Sequence, residues 1–147
     1  MKFLVRRHLW PTPRIALGRL LSSRRFASAA IDLSDGLSGD LLHLCQQSRV
    51  GALIQGASLP LSPHLIAYAS QMKVDPLHWA LHGGEEYELL FTVPPKYQRR
   101  LELAVKKLRI PVTPIGVIRP DRSGLRIVHQ DGTTQKLVPQ SYVHFSD

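Results

Sequence analysis

The chain reads as an α+β fold with a mixed or antiparallel sheet packed with helices. Three observations predict this. Helical and strand periods follow one another without a regular βαβ repeat, two Gly-bearing turns cluster late in the chain, and 44% apolar residues in 147 suffice for a real core. No apolar run approaches the ~18 residues of a membrane helix.

Residues 1–10 read as an extended lead-in. Pro11-Thr12-Pro13 opens a first helix, because proline is tolerated in the first turn, and Ile15, Ala16, Leu20 and Leu21 are its expected buried face. Ala29 to Leu33 is a short strand. Gly36 to Ser48 is the clearest helix, with Leu37, Leu41, Leu44, Cys45 and Ser48 on one face. Val50 to Ile54 is the next strand. Two short helices follow at His64–Met72 and Pro76–Leu81.

Gly83-Gly84 then breaks the chain ahead of a strand over Tyr87–Val93, which Pro94-Pro95 ends. Lys96 to Leu108 is amphipathic, with Leu101, Ala104, Val105 and Leu108 inward. Strands are expected at Val112–Ile118, Leu125–Val128 and Gln135–Val138, joined by hairpin turns at Ser123-Gly124 and Asp131-Gly132.

Charge narrows the function classes. Nineteen Lys and Arg face eleven Asp and Glu, a net charge of +8. Basic chains attract anions such as nucleic acid, anionic lipid or phosphorylated small molecules. No acid precedes Asp32, whereas Lys2, Arg6, Arg7, Arg14, Arg19, Arg24 and Arg25 do. That composition suits an organelle leader, but Pro11 and Pro13 interrupt it. The basic helix near Lys96–Arg109 has only Tyr97 as an interleaved aromatic, which argues for a solvated face over a nucleic-acid reader. The single Cys45 excludes an internal disulfide and fits a reducing compartment. P-loop, dinucleotide, zincin and nucleophile-elbow motifs are all missing.

Two segments carry candidate chemistry. Asp32-Leu33-Ser34-Asp35-Gly36 lies at a strand-to-helix junction, where two carboxylates three residues apart converge on one cation. Mg²⁺ favours such a set, completed by waters and substrate phosphate oxygens. The simpler alternative is a cap, with Ser34 or Asp35 as N-cap and Gly36 as turn residue. Asp40 falls on another face of that helix and has a weaker claim. His82-Gly83-Gly84-Glu85-Glu86-Tyr87-Glu88-Leu89 is the second, with Glu85 at the mouth of a Gly-Gly turn. Its plain alternative is a solvated loop with an acidic strand edge. A third feature, Ser141-Tyr142-Val143-His144-Phe145, supplies aromatics that either tuck onto the core or stack on a flat ring.

The motifs in order extend the argument. Arg7-His8-Leu9-x-Pro11-x-Pro13-Arg14, Ala30-Ile31-Asp32-Leu33-Ser34-Asp35-Gly36-Leu37, Asp40-Leu41, Gly83-Gly84-Glu85-x-Tyr87-Glu88-Leu89, Phe91-Thr92-Val93-Pro94, Ile115-Gly116 and His144-Phe145 resemble the thiamine-monophosphate kinase family in order and separation. The resemblance covers essentially the whole chain and only the C-terminal part of the family's length.

It implies the C-terminal domain of the aminoimidazole ribonucleotide synthetase-like fold. Residues 1–27 would be the lead-in and first helix, and 28–147 the rest of the same domain. It implies Asp32 and Asp35 as Mg²⁺ ligands, Ser34 as an ATP contact, and Glu85 and Tyr142 as contacts to thiamine monophosphate. The reaction implied is transfer of the ATP γ-phosphoryl group to thiamine monophosphate, giving thiamine diphosphate in the cytoplasm. Neither nucleic acid nor membrane is an expected partner. The family's N-terminal domain, with its acidic Mg²⁺ cluster and homodimer contacts, has no counterpart here, so an incomplete kinase is expected. A non-catalytic nucleotide- or thiamine-phosphate-binding domain and a sibling ATP-dependent enzyme are the alternatives. Glu86 stands where the family usually has Asp.

Overall fold

The computed structural model describes residues 2–140. Among the described residues are six α-helices and six strands, the strands form two sheets, and the acidic segments lie on the smaller one. In order they are α1 (Lys2–Leu9), α2 (Ile15–Ser23), β1 (Ala29–Asp32), α3 (Leu37–Ser48), β2 (Val50–Gln55), α4 (Pro63–Met72), α5 (Pro76–His82), β3 (Leu89–Thr92), α6 (Pro95–Leu108), β4 (Gly116–Pro120), β5 (Leu125–Val128) and β6 (Thr134–Lys136).

The lead-in is helical, not extended. Helix α1 buries no residue, and three basic side chains, Arg6, Arg7 and His8, sit in its last turn beside the negative end of the helix dipole. It is held from outside itself. Phe3 stacks on His64 of α4 with ring centroids 4.1 Å apart, and Arg7 and His8 reach acids near β3. The α2 face also differs from expectation: Leu17 and Leu21 are buried, whereas Ile15 is 66% exposed.

Strands β1 and β3 pair antiparallel, Asp32 opposite Leu89 and Ala29 opposite Thr92. The second sheet runs β4-β2-β5-β6, with β2 antiparallel to β4 and parallel to β5. Both sheet types are therefore present, as the α+β reading requires. The Ser123-Gly124 turn is not a hairpin, because β2 lies between the strands it joins, and Gly124 instead offers its carbonyl to the Ala52 amide at 3.0 Å. Asp131-Gly132 does join an antiparallel pair.

Two strands begin later than expected. The run from Val112 becomes a strand only at Gly116, since Pro111 and Pro114 have no N–H to donate to a ladder. The run from Tyr87 begins at Leu89, because Glu85 (φ 67°) and Tyr87 (φ 50°) take left-handed backbone.

Two apolar clusters hold these parts. One packs Leu37, Leu41, Leu44 and Cys45 of α3 against Ala52, Ile54, Leu125 and Ile127 of the four-stranded sheet. The other joins Leu17 and Leu21 of α2 to Phe26 and to Leu101 and Val105 of α6. Leu108, expected inward, is 37% exposed at the end of α6. Cys45 is 2% exposed, and burial pushes its thiol up, so it serves as a small apolar residue. Among the described residues no helix is long and apolar enough to cross a membrane.

Candidate functional site

The two acidic segments, some 50 residues apart in sequence, lie side by side. Beyond the β1–β3 ladder, the Glu85 amide donates to the Ser34 carbonyl at 2.9 Å and the Tyr87 amide to the Leu33 carbonyl at 2.9 Å. The Leu33 amide returns a bond to the Glu88 carbonyl at 2.9 Å.

Glycine permits the approach. Gly36 has φ +91°, and a Cβ there would sit 2.3 Å from the Gly83 carbonyl oxygen. A Cβ on Gly84 would sit 2.3 Å from the Ser34 carbonyl oxygen. Only residues without side chains let these backbones touch. Behind them, fully buried Ser38 bonds His82 Nδ1 at 2.9 Å. Burial and the neighbouring His78 lower the His82 pKa, which favours the neutral ring there.

Neither Ser34 nor Asp35 caps α3. Its N-cap is Gly36, with no side-chain cap bond. The loop is held from the other direction, by an acid on the helix. Asp40, 2% exposed, accepts the Ser34 amide at 3.0 Å and the Asp35 amide at 3.1 Å on one oxygen, Oδ2. Asp32 is exposed at the end of β1, and Ser34 and Asp35 are half-buried. Loss of solvent raises the Asp40 pKa against its two amide bonds, and the charges of Asp35 and Asp32 add to the rise. Three carboxylates thus share one strand-to-helix junction.

The second segment is fixed by arginines. Arg14 grips Glu88 with two bonds, Nε at 2.6 Å and Nη2 at 2.5 Å. Arg7 adds a third at 2.9 Å. Burial works to raise the Glu88 carboxyl, but the bonds and charges of Arg14 and Arg7 outweigh it and hold the carboxyl low. Glu85 is exposed, and His8 Nε2 lies 3.1 Å from its Oε2. Glu86 keeps an exposed edge, yet desolvation pushes its carboxyl to about 6. Its own amide and His8 oppose the rise, and Asp40 and Glu88 add to it.

An open cleft of about 430 Å³ adjoins this ground, lined by Pro11, Pro13, Ile15, Leu89, Tyr87 and Asp32 among others. A hollow of about 550 Å³ beside Lys2, Val5, Arg6 and Trp10 carries no acid. Tyr142 lies outside the described residues.

Sequence reasoning undervalued Asp40 by treating the helix as the only frame. The available signal was an acid in the first turn of a helix whose preceding loop has amides to satisfy. The roles of Arg7 and Arg14 depend on long-range contacts that spacing does not encode.

No family model matches the chain. Individual proteins do. The chain is 43% identical over 144 residues to thiamine-monophosphate kinase of Salmonella typhimurium, covering 98% of this chain and 43% of that protein. Its fold matches the crystal structure of thiamine-monophosphate kinase from Stenotrophomonas maltophilia with a TM-score of 0.77 at 38% identity, over 90% of this chain and 39% of the other. By sequence and by fold this chain is similar to one part of the thiamine-monophosphate kinases. A structure of AaThiL complexed with AMPPCP and TMP matches with a TM-score of 0.79 at 35% identity, over 97% of this chain and 41% of that one. The fold is the one that the resemblance implied. The chain spans about two-fifths of the length of these kinase relatives.

Proposed function

We propose that this chain supplies part of an ATP-dependent thiamine-monophosphate kinase, working in the cytoplasm as a single domain over residues 1–147. The reaction moves the γ-phosphoryl group of ATP to the phosphate of thiamine monophosphate, yielding ADP and thiamine diphosphate. One observation carries the reading. The Asp32–Asp35 loop and the Gly83–Glu88 loop are bonded backbone to backbone, so their acids and hydroxyl share one edge.

The donor set suits Mg²⁺: Asp32 and Asp35 offer hard carboxylate oxygens, and the half-buried Ser34 hydroxyl is free of a capping role. Among the described residues no group of three or more His, Cys, Asp or Glu is placed to hold a metal. Two carboxylates therefore suit an ion that keeps waters and phosphate oxygens. Asp32 and Asp35 hold Mg²⁺ in this proposal, and Ser34 contacts ATP. The ion, when bound, offsets phosphate charge and aligns donor with acceptor.

Glu85, exposed at the Gly-Gly turn, accepts hydrogen bonds from the amino-bearing ring of thiamine monophosphate, and Tyr142 lies against that ring. The AMPPCP and TMP named in the AaThiL complex fit a nucleotide and a phosphorylated acceptor. The remaining metal carboxylates and a homodimer contact come, in this reading, from the part of the relatives' length that the chain does not span.

The test is phosphoryl transfer from Mg-ATP to thiamine monophosphate, with and without an N-terminal domain of a family member added in trans. Thiamine diphosphate only with the added domain is the expected result. Product from the chain alone would show that it carries a complete site. No product in either mixture, with calorimetric binding of nucleotide, would establish a non-catalytic binding domain instead.

A further inference from the structure

Asp40 is built at a cost that its contacts do not explain. Its carboxylate is 2% exposed, and its bonds are to two neutral amides, Ser34 and Asp35. Among the described residues no Lys, Arg or His lies within ion-pair distance of it. The acids it approaches, Asp35 and Asp32, are like charges. A buried charge without a cation is expensive, whereas a neutral acceptor satisfies two amides at far lower cost. Asparagine offers the same acceptor oxygen on nearly the same shape. Holding the loop therefore accounts for an oxygen at this place, not for a negative charge.

We propose that Asp40 is an electrostatic positioning residue of the cation site. Its Oδ2 fixes the peptide planes of Ser34 and Asp35, and so sets where the carboxylates of Asp32 and Asp35 emerge. Its charge, kept out of solvent behind them, deepens the negative potential that draws a divalent cation to the loop. Oδ2 is committed to the loop amides, so Asp40 is assigned a positioning role and not that of a ligand. The inference rests on the cation reading of Asp32 and Asp35.

The test separates oxygen from charge. Wild-type, Asp40→Asn and Asp40→Ala chains are compared by amide hydrogen exchange and by Mg²⁺ titration of the Asp32–Gly36 amide resonances. Asp40→Asn is expected to keep slow exchange at Ser34 and Asp35 and to bind Mg²⁺ about tenfold more weakly. Asp40→Ala is expected to speed exchange at both amides while the β2 and β5 amides stay protected. If Asp40→Ala does not fold, Asp40→Asn decides the electrostatic claim alone. Mg²⁺ affinity equal to wild type in Asp40→Asn overturns that claim. Unchanged Ser34 and Asp35 exchange in a folded Asp40→Ala overturns the positioning claim. A wild-type chain without any Mg²⁺ response overturns the cation reading and the electrostatic claim together, while exchange still decides the positioning.

Discussion

The two acidic loops are neighbours held by opposite means. The Asp32–Gly36 loop is fixed from within, by a buried carboxylate on α3 and by glycine contacts to backbone. The Gly83–Glu88 loop is fixed partly from outside, by Arg14 ahead of α2 and by Arg7 and His8 of α1, a helix with no buried residue. The first should resist salt, because its ties are short and dry. The second should respond to salt, because each of its ion pairs meets water. Under the proposed function, the loop assigned to the cation stays rigid while the loop assigned to the substrate adjusts.

The largest break falls on the shared seam. Gly36→Ala puts a Cβ at 2.3 Å from the Gly83 carbonyl oxygen at a φ of +91°. Overpacking and left-handed strain together should cost about 3 kcal/mol. Urea unfolding should show a lower midpoint, and hydrogen exchange should show both loops opening together. A loss confined to the Asp32–Gly36 loop would mean that the loops are not one unit.

Arg14→Ala should have a smaller effect, confined to the second loop. It removes two of the three bonds on Glu88. The cost should be about 1 kcal/mol, since Glu88 is 38% exposed and solvent screens the pair. The sign with pH follows from the lowered Glu88 pKa. Its stabilisation is complete above the ordinary value of 4.5 and is lost as pH falls through the folded value. Arg14→Ala and wild type should therefore differ at pH 7 and converge in acid, and high salt should narrow the gap at pH 7. A gap that persists unchanged at low pH would place the role of Arg14 in packing instead.

How much of this was legible follows the same division. The α3 face was readable because Leu37, Leu41, Leu44 and Cys45 repeat at helical spacing and are buried, although Ser48, expected on the same face, is exposed at the helix end. The candidate residues Asp32, Ser34, Asp35 and Glu85 were readable as types at a junction and a Gly-Gly turn. Their adjacency was not, since it arises from β1–β3 pairing and from carbonyls that meet glycines. Helix α1 was missed because its stability is tertiary. Phe3 needs His64, and Arg7 needs Glu88. The early end of β3 was hidden in Glu85 and Tyr87, residue types that do not announce a left-handed backbone.

Glu86 offers the finest test of the contrast, because it stands on the Gly83–Glu88 loop yet feels Asp40, the α3 acid that holds the other loop. Its carboxyl is raised to about 6 from 4.5, mainly by desolvation. Between those values the folded chain binds more protons than the unfolded one, so this group costs stability as pH rises and the full cost stands above about 6. Discounted for its exposed edge, the effect should be about 1 kcal/mol or less. Glu86→Gln should accordingly be slightly more stable than wild type at pH 7.5 and equal to it near pH 4, the reverse of Arg14→Ala in sign. Urea midpoints at both pH values measure this. A Glu86→Asp variant sharpens the result, because the shorter side chain moves the carboxyl while keeping its charge. If desolvation is the cause, the pH dependence should change with that move. If the neighbouring acids are the cause, Asp40→Asn should flatten it, and the two loops would then share one electrostatic field.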